Sequence, residues 1–271
     1  MHYQTYLPHP SLSKYIRCYW TLEVVTMPPA TAPERIFPDG CTELIFHYGD
    51  LFRKHTATKQ SDIQPRSFVH GQIKSFIEIE ATGRTGMLAV RFTPSGLKAF
   101  TPHNVNTVTG EHVPVADFWG KEGDALEDRV LNARTNEQRI RLIERFLLRK
   151  LTQMPSPDPL AGLCTAEIIR TNGNVNIDQL ADSLHIGRRH LERRVTAHVG
   201  LPPKLLARII RFQHALQLIE RGRSDNLTMV GYESGFYDQA HFIKDFRIFT
   251  GLHPRQYFAE DLLLTRHFSF E

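Results

Sequence analysis

The stretch Gly235–Gly251, "GFYDQAHFIKDFRIFTG", decides how this chain is read. Asp238, His241 and Asp245 follow one another at steps of three and four. On a helix that spacing puts them on roughly one face. Such a face can hold a metal, carry catalysis, or meet a partner. Asp238 stands where the helix would begin, and a carboxylate there caps free backbone N–H groups without any metal. His241 falls on an outward face. Asp245 reads as a partner for Arg247, Lys244 or a neighbouring helix. Phe236, Phe242, Phe246 and Phe249 supply the buried side that fixes the helix to its unit.

Working back along the chain, the same pattern occurs once more. Asn176–Leu184 is a short amphipathic helix with Ile177, Leu180, Ala181 and Leu184 on its apolar side, capped by Asn176 or Asp178. His185-Ile186-Gly187 is a tight turn. A second helix, Arg188–His198, stops at Gly200. Leu191 and Val195 face inward, which leaves Arg188, Arg189, Glu192 and Arg193 outside. This is a helix-turn-helix with a basic outer face. A long helix follows, from about Lys204 to Arg221, with Leu205, Ile209, Phe212, Leu216 and Ile219 at helical steps. It spans roughly 27 Å at ~1.5 Å per residue. Leu227–Ser234, the turn Gly235-Phe236 and the helix from Asp238 to Phe249 then repeat the unit, with Phe242 in the place of Leu191. Two units on a rigid helix of that length suit neighbouring major-groove segments ~34 Å apart.

The first hundred residues read as β. Glu43–Tyr48, Ser67–His70, Phe76–Glu80 and Met87–Phe92 are short runs of β-branched and aromatic residues bounded by Gly, Pro or Asp. Ile77 and Ile79 alternate with Phe76, Glu78 and Glu80, giving one apolar face. Short strands with turns between them predict a barrel or sandwich. Helical signals begin after Pro94. Asp124–Ala133 is one helix. Glu137–Leu151 is another, with a stripe of Ile140, Ile143, Leu147 and Leu151, capped by Thr135 or Asn136. The stripe packs either on the β region or on a second subunit. Thr152–Pro159 holds three prolines in a polar stretch and predicts an extended linker. The expected division is a sensor domain at 1–151, a linker at 152–160, a double helix-turn-helix domain at 161–261 and a tail at 262–271.

Bulk properties narrow the function classes. The 271 residues are 41% hydrophobic and 23% charged, which fits a globular protein with a sizeable core. A net charge of +4 is too small to decide anything by itself. Cys18, Cys41 and Cys164 are odd in number and far apart, with no CxxC pair, so neither a disulfide framework nor a thiolate zinc site is expected. No signal peptide and no apolar run of membrane-spanning length is read, and a cytoplasmic location with no membrane partner is expected.

The stretch "GFYDQAHFIKDFRIFTGLHPRQY", Gly235–Tyr257, resembles the C-terminal signature of the arabinose-regulator (AraC/XylS) family of bacterial transcription factors. "HLERRVTAHVGLPPKLLARIIRFQHAL", His190–Leu216, resembles that family's first recognition helix and linker helix. The resemblance covers about Leu163 to Asp261. "FPDGCTELIFHYGD" and "GMLAVRFTPSGLKAF" are similar to the sensor region of one branch of the family. It implies an α+β fold: an N-terminal cupin-like β-barrel or sandwich sensor with flanking helices, and an all-α C-terminal domain with two helix-turn-helix units joined by a long helix. Three positions depart from the pattern. Gly187 replaces the usual Ser cap, a loss of only a few tenths of a kcal/mol. Val195 replaces a bulky aromatic, and Gly231 replaces an Ala, at about 1 kcal/mol.

On that pattern Arg188, Arg189, Glu192 and Arg193 face DNA from the first unit, and Gln239, Ala240, His241, Ile243 and Lys244 from the second, with Lys244 and Arg247 on phosphate. Arg suits guanine, Gln suits adenine, Glu192 accepts from cytosine N4 or orients Arg189 or Arg193, and Ile243 suits a thymine methyl. Arg208 and Arg211 read as structural. Double-stranded promoter DNA and RNA polymerase are the expected partners, with a small-molecule effector and a homodimer also implied and no cofactor. Trp20, Arg35, Glu43 and Arg91 could line an effector pocket. The alternative is a metal-dependent cupin-like enzyme fused to a helical domain, but His47, His70, His103 and His112 lack the His-x-His spacing it needs. A repair-type methyl acceptor would need clustered cysteines. No catalytic or metal-ligating set is expected.

Overall fold

Runs of β-branched and aromatic residues cut by Gly, Pro and Asp turns can bury both faces only by stacking sheet on sheet or sheet on helix. Both happen here. A computed structural model describes residues 2–24, 33–55, 61–221 and 227–257. Its strands are β1 (His2–Tyr6), β2 (Ile16–Val24), β3 (Glu34–Ile36), β4 (Glu43–His47), β5 (Phe52–His55), β6 (Ser61–Ile63), β7 (Ser67–His70), β8 (Ile77–Ala81), β9 (Thr85–Phe92) and β10 (His112–Pro114). They form a six-stranded sheet in the order β1-β2-β9-β4-β7-β10 and a four-stranded sheet in the order β3-β8-β5-β6, with every strand pair antiparallel.

Strand β9 is buried along its whole length, and its two faces serve two cores. Leu88, Val90 and Phe92 join a core shared with helices, while Met87 and Ala89 face the second sheet. The same period of two sorts β2 and β4: Tyr19, Leu44 and Phe46 go to the helical side, and Trp20, Leu22 and Ile45 to the inter-sheet side. The helical side is covered by α1 (Val115–Trp119), α2 (Lys121–Leu131) and α3 (Asn136–Gln153). Thr135 caps α3 by accepting from Gln138 N at 3.3 Å. The stripe of Ile140, Ile143 and Leu147 is buried in this same core. It therefore packs within the chain and is not spare for a second subunit, while Arg141, Arg145 and Arg149 occupy exposed positions on α3.

Helix α3 continues to Gln153, and α4 (Pro159–Arg170) starts at Pro159, so only 154–158 of the expected linker is non-helical. Pro159 sits in the first turn, where a missing N–H costs nothing, and Asp158 caps it. The C-terminal helices are α5 (Ile177–Ser183), α6 (Arg188–Val199), α7 (Pro203–Glu220), α8 (Leu227–Glu233), α9 (Gln239–Thr250) and α10 (Pro254–Tyr257). One core holds Leu191, Val195, Phe212, Phe236, Phe242, Phe246 and Phe249, all 3% exposed or less. The expected tail at 262–271, and the end of the stretch 161–261, lie outside the described residues.

The loop between β3 and β4 crosses to this helical region. Phe37 is buried in the C-terminal core, with ring centroids 6.2 Å from Phe212 and 6.1 Å from Tyr257. Gln213 Nε2 of α7 donates to the Pro38 carbonyl at 2.8 Å. Gly40 follows at φ +80°, and a Cβ there would lie 3.1 Å from Leu206 Cδ1. Close by, Thr109 Oγ1 donates to the Gly200 carbonyl at 2.8 Å.

Candidate DNA interface and effector cavity

The second helix of each helix-turn-helix unit is held from behind by the core and offers polar side chains in front. In the first unit, α6 begins at Gly187, which makes no side-chain cap, and closes at Gly200 in the left-handed region. Arg188 is clamped: its Nη1 donates to both Asp178 oxygens of α5 at 2.9 and 3.0 Å, and its Nε to Glu192 at 3.1 Å. Glu192 therefore orients Arg188, not Arg189 or Arg193, because an i,i+4 step brings 188 and 192 together. Arg189 and Arg193 are exposed and form no ion pair among the described residues. Arg194, which the sequence reading passed over, bonds Asp158 at 2.5 and 2.9 Å and ties α6 to the start of α4.

In the second unit Asp238 caps α9 by accepting from His241 N at 2.7 Å. Gln239, Ala240, Lys244 and Arg247 are exposed. His241 is half-buried, edge-on to Phe236 at 5.4 Å and with Nε2 3.7 Å from Asp245. Ile243 is also half-buried and packs against the core, so less of it is free for a groove. Asp245 is 1% exposed and takes two bonds from Arg208 of α7, at 3.1 and 2.7 Å. Its partner is thus the neighbouring helix rather than Arg247 or Lys244. Arg211 donates to the Gly173 carbonyl at 2.8 Å and lies over the Phe236 ring. Both arginines of α7 serve the fold. Tyr237, 87% exposed just before the cap, was missed. Its only signal was a large aromatic placed in a turn.

The four expected pocket residues separate three to one. Trp20, Glu43 and Arg91 line a cavity of about 60 Å³ between the sheets, together with Asp39, Cys41, Gln64, His70, and a wall of Ile45, Ile77, Ile79 and Met87. Register explains the meeting: Glu43 faces Arg91 across β4 and β9, and Trp20 stands one strand over. Arg35 is elsewhere, paired with Glu78 at 2.9 Å and over the Phe76 ring. Trp20 Nε1 donates to Glu43 Oε1 at 3.0 Å, and Arg91 bonds Asp39 directly. Burial pushes the Glu43 carboxyl up to about 7 against the pull of Arg91. A second cavity, about 280 Å³, lies beyond Asp39, Cys41 and Arg91, walled by Arg17, Ile169, Asn172, Ile210, Gln213, His214 and Gln217.

Among the described residues no group of three or more His, Cys, Asp or Glu side chains could hold a metal. His70 and His112 pack edge to face at 4.5 Å, His47 lies beside Phe68, and His103 beside Phe118. Burial pushes His47 and His70 down to about 4. No helix among the described residues is long and apolar enough to cross a membrane.

A family model described as a helix-turn-helix domain matches residues 180–260, and one described as a domain of unknown function, DUF6597, matches residues 4–114. Over 82 residues the chain is 30% identical to an uncharacterized HTH-type transcriptional regulator of Haemophilus influenzae. That stretch is 30% of this chain and 27% of the relative, so the alignment spans about a quarter of the relative's length. Among solved structures, ToxT from Vibrio cholerae aligns at 13% identity with a TM-score of 0.47, over 95% of this chain and 98% of that one. The C-terminal domain of AraT, a response regulator from Geobacillus stearothermophilus, aligns at 18% identity with a TM-score of 0.36, over 40% of this chain and 91% of that one.

Proposed function

We propose that this chain, an AraC-family regulator by its double helix-turn-helix, binds promoter DNA sequence-specifically and controls transcription in the cytoplasm, with RNA polymerase as partner. The observation that carries this is the pairing of two exposed polar helix faces on one rigid helix. Arg189 and Arg193 stand on α6, and Gln239, Lys244 and Arg247 on α9, with the 18-residue α7 between the units. Arg189 and Arg193 are free to reach guanine edges, while Arg188 and Glu192 form a fixed pair beside them that can turn to phosphate or cytosine. Lys244 and Arg247 supply charge to the backbone. The N-terminal domain acts as the sensor. An effector that binds better to one of two states of the chain shifts DNA affinity by that difference.

The test is site selection from random duplexes, followed by titration at several salt concentrations. The expected outcome is a preferred sequence and a log–log salt slope set by the phosphates neutralised. Arg189→Ala or Arg193→Ala should relax preference at single positions, at ~1–3 kcal/mol each, and Lys244→Ala should weaken all sites alike. Binding without sequence preference and without a salt slope sinks the reading.

A further inference from the structure

The inter-sheet cavity carries an imbalance of charge. Asp39 and Glu43 face one guanidinium, Arg91, which is 4% exposed. Arg91 is committed to Asp39 and approaches Glu43 Oε1 only to 4.0 Å. Two other cations have different places: Lys54 Nζ is held on the Gly110 carbonyl at 3.3 Å, and Arg17 lines the second cavity. Glu43 Oε1 accepts from the Trp20 indole N–H at 3.0 Å. A carboxylate that shares a single guanidinium with a second carboxylate gains from a charged donor supplied from outside the chain.

The surroundings say what that donor is. Asp39, Glu43 and Arg91 are the charged residues of its lining, and Ile45, Ile77, Ile79 and Met87 are apolar ones. An ammonium is favoured by a carboxylate, to which it donates a charge-assisted hydrogen bond. The volume of about 60 Å³ sets the size. One water needs ~10–15 Å³ on this measure, so the space suits roughly four to six non-hydrogen atoms. We propose that this cavity binds a small primary alkylamine, with its ammonium on Glu43 and its alkyl chain against the isoleucines. The proposal rests on reading the N-terminal domain as a sensor, and it names the class of effector. The same Asp39 that holds Arg91 belongs to the loop whose Pro38 carbonyl is bonded by Gln213 of α7. A cation that competes for these carboxylates therefore acts one residue away from the helix joining the two DNA-binding units.

The experiment is calorimetric titration of the full chain with n-butylamine, butan-1-ol and butyrate, which share a size and differ in charge. The amine is expected to bind at least tenfold more tightly than the alcohol or the acid. Glu43→Gln should remove that preference, and Glu78→Gln, which alters only the outer ion pair with Arg35, should keep it. Should Glu43→Gln fail to fold, a Trp119→Phe chain leaves Trp20 as the single tryptophan, and its emission should respond to the amine alone. Preference for butyrate, equal binding of all three, or no binding at millimolar concentration overturns the proposal. Amine binding that leaves DNA affinity unchanged supports the site and removes the sensor reading instead.

Discussion

Asp245 and Arg247 stand two positions apart on α9 and do different work. Asp245 is buried on Arg208, and Arg247 is exposed. Asp245→Asn should leave the half-buried Arg208 without its counter-charge and cost about 3 kcal/mol, seen as a lower urea midpoint. Arg247→Ala should leave that midpoint in place and flatten the salt slope of DNA binding by about 1. Equal effects of the two changes on stability would contradict this division. Gly231 offers a gain. It is helical, and a Cβ there would sit 3.5 Å from Phe242 Cβ, an ordinary contact. Gly231→Ala should therefore raise unfolding stability by about 1 kcal/mol in urea melts. Gly235 is the opposite case, at φ +82° with Asn174 1.7 Å from its missing Cβ. The buried phenylalanines and the Asp238 cap were legible, since spacing alone fixes which side of a helix is covered. The choice of Arg188 for Glu192 and of Arg208 for Asp245 was not. Ion-pair partners depend on torsions and on helices distant in sequence, and spacing leaves several open.

At the scale of elements, alternation along β2, β4 and β9 put Trp20, Glu43 and Arg91 on one face, and these were the pocket residues that came together. Arg35 sits on the three-residue β3, too short to show a period, and its face could not be read. The edge strands β1 and β6 lacked a signal for the related reason that exposed edges need no apolar alternation. The histidines of β4, β7 and β10 have a consequence for pH. Burial holds His47 and His70 near 4 and lowers His112 further, while in the unfolded chain each titrates near the ordinary 6.5. The unfolded state thus binds more protons below about 6.5, and stability falls as pH falls. Each of the first two histidines can cost roughly 3 kcal/mol once pH reaches about 4. Glu43 opposes this. Its raised carboxyl keeps its proton better in the folded state, so acidification from about 7 favours the fold through that one group. Three histidines outweigh one carboxyl, and urea midpoints should drop steeply between about pH 6 and pH 4. A flat profile there would mean that the histidines are hydrated in the folded chain.

Across the whole molecule, the sequence reading assigned Phe37 to the sensor, and its covalent place is indeed between β3 and β4. Its side chain nevertheless belongs to the C-terminal core. Nothing local could reveal that, because the contact with Phe212 and Tyr257 spans most of the chain. The consequence is mechanical. Phe37, the Pro38 carbonyl on Gln213 and the close fit of Gly40 against Leu206 make the loop a joint between the sheets and α7. A displacement of Asp39 at the cavity would be felt at α7 through these contacts. A loop of the sheets that plants a buried aromatic in the C-terminal core should also make the two regions melt together. Phe37→Ala should cost about 3–5 kcal/mol, and the loss falls on the C-terminal core where the loop enters it. Calorimetry should then show the single transition of the unaltered chain resolve into two, with the helical region melting first because it loses the packed ring. DNA affinity without effector should stay near that of the unaltered chain, since α6 and α9 keep the rest of their shared core, whereas the effect of any sensor ligand on that affinity should disappear. A single, uniformly lowered transition with the ligand response intact would show that coupling runs through Thr109 and Gly200 instead.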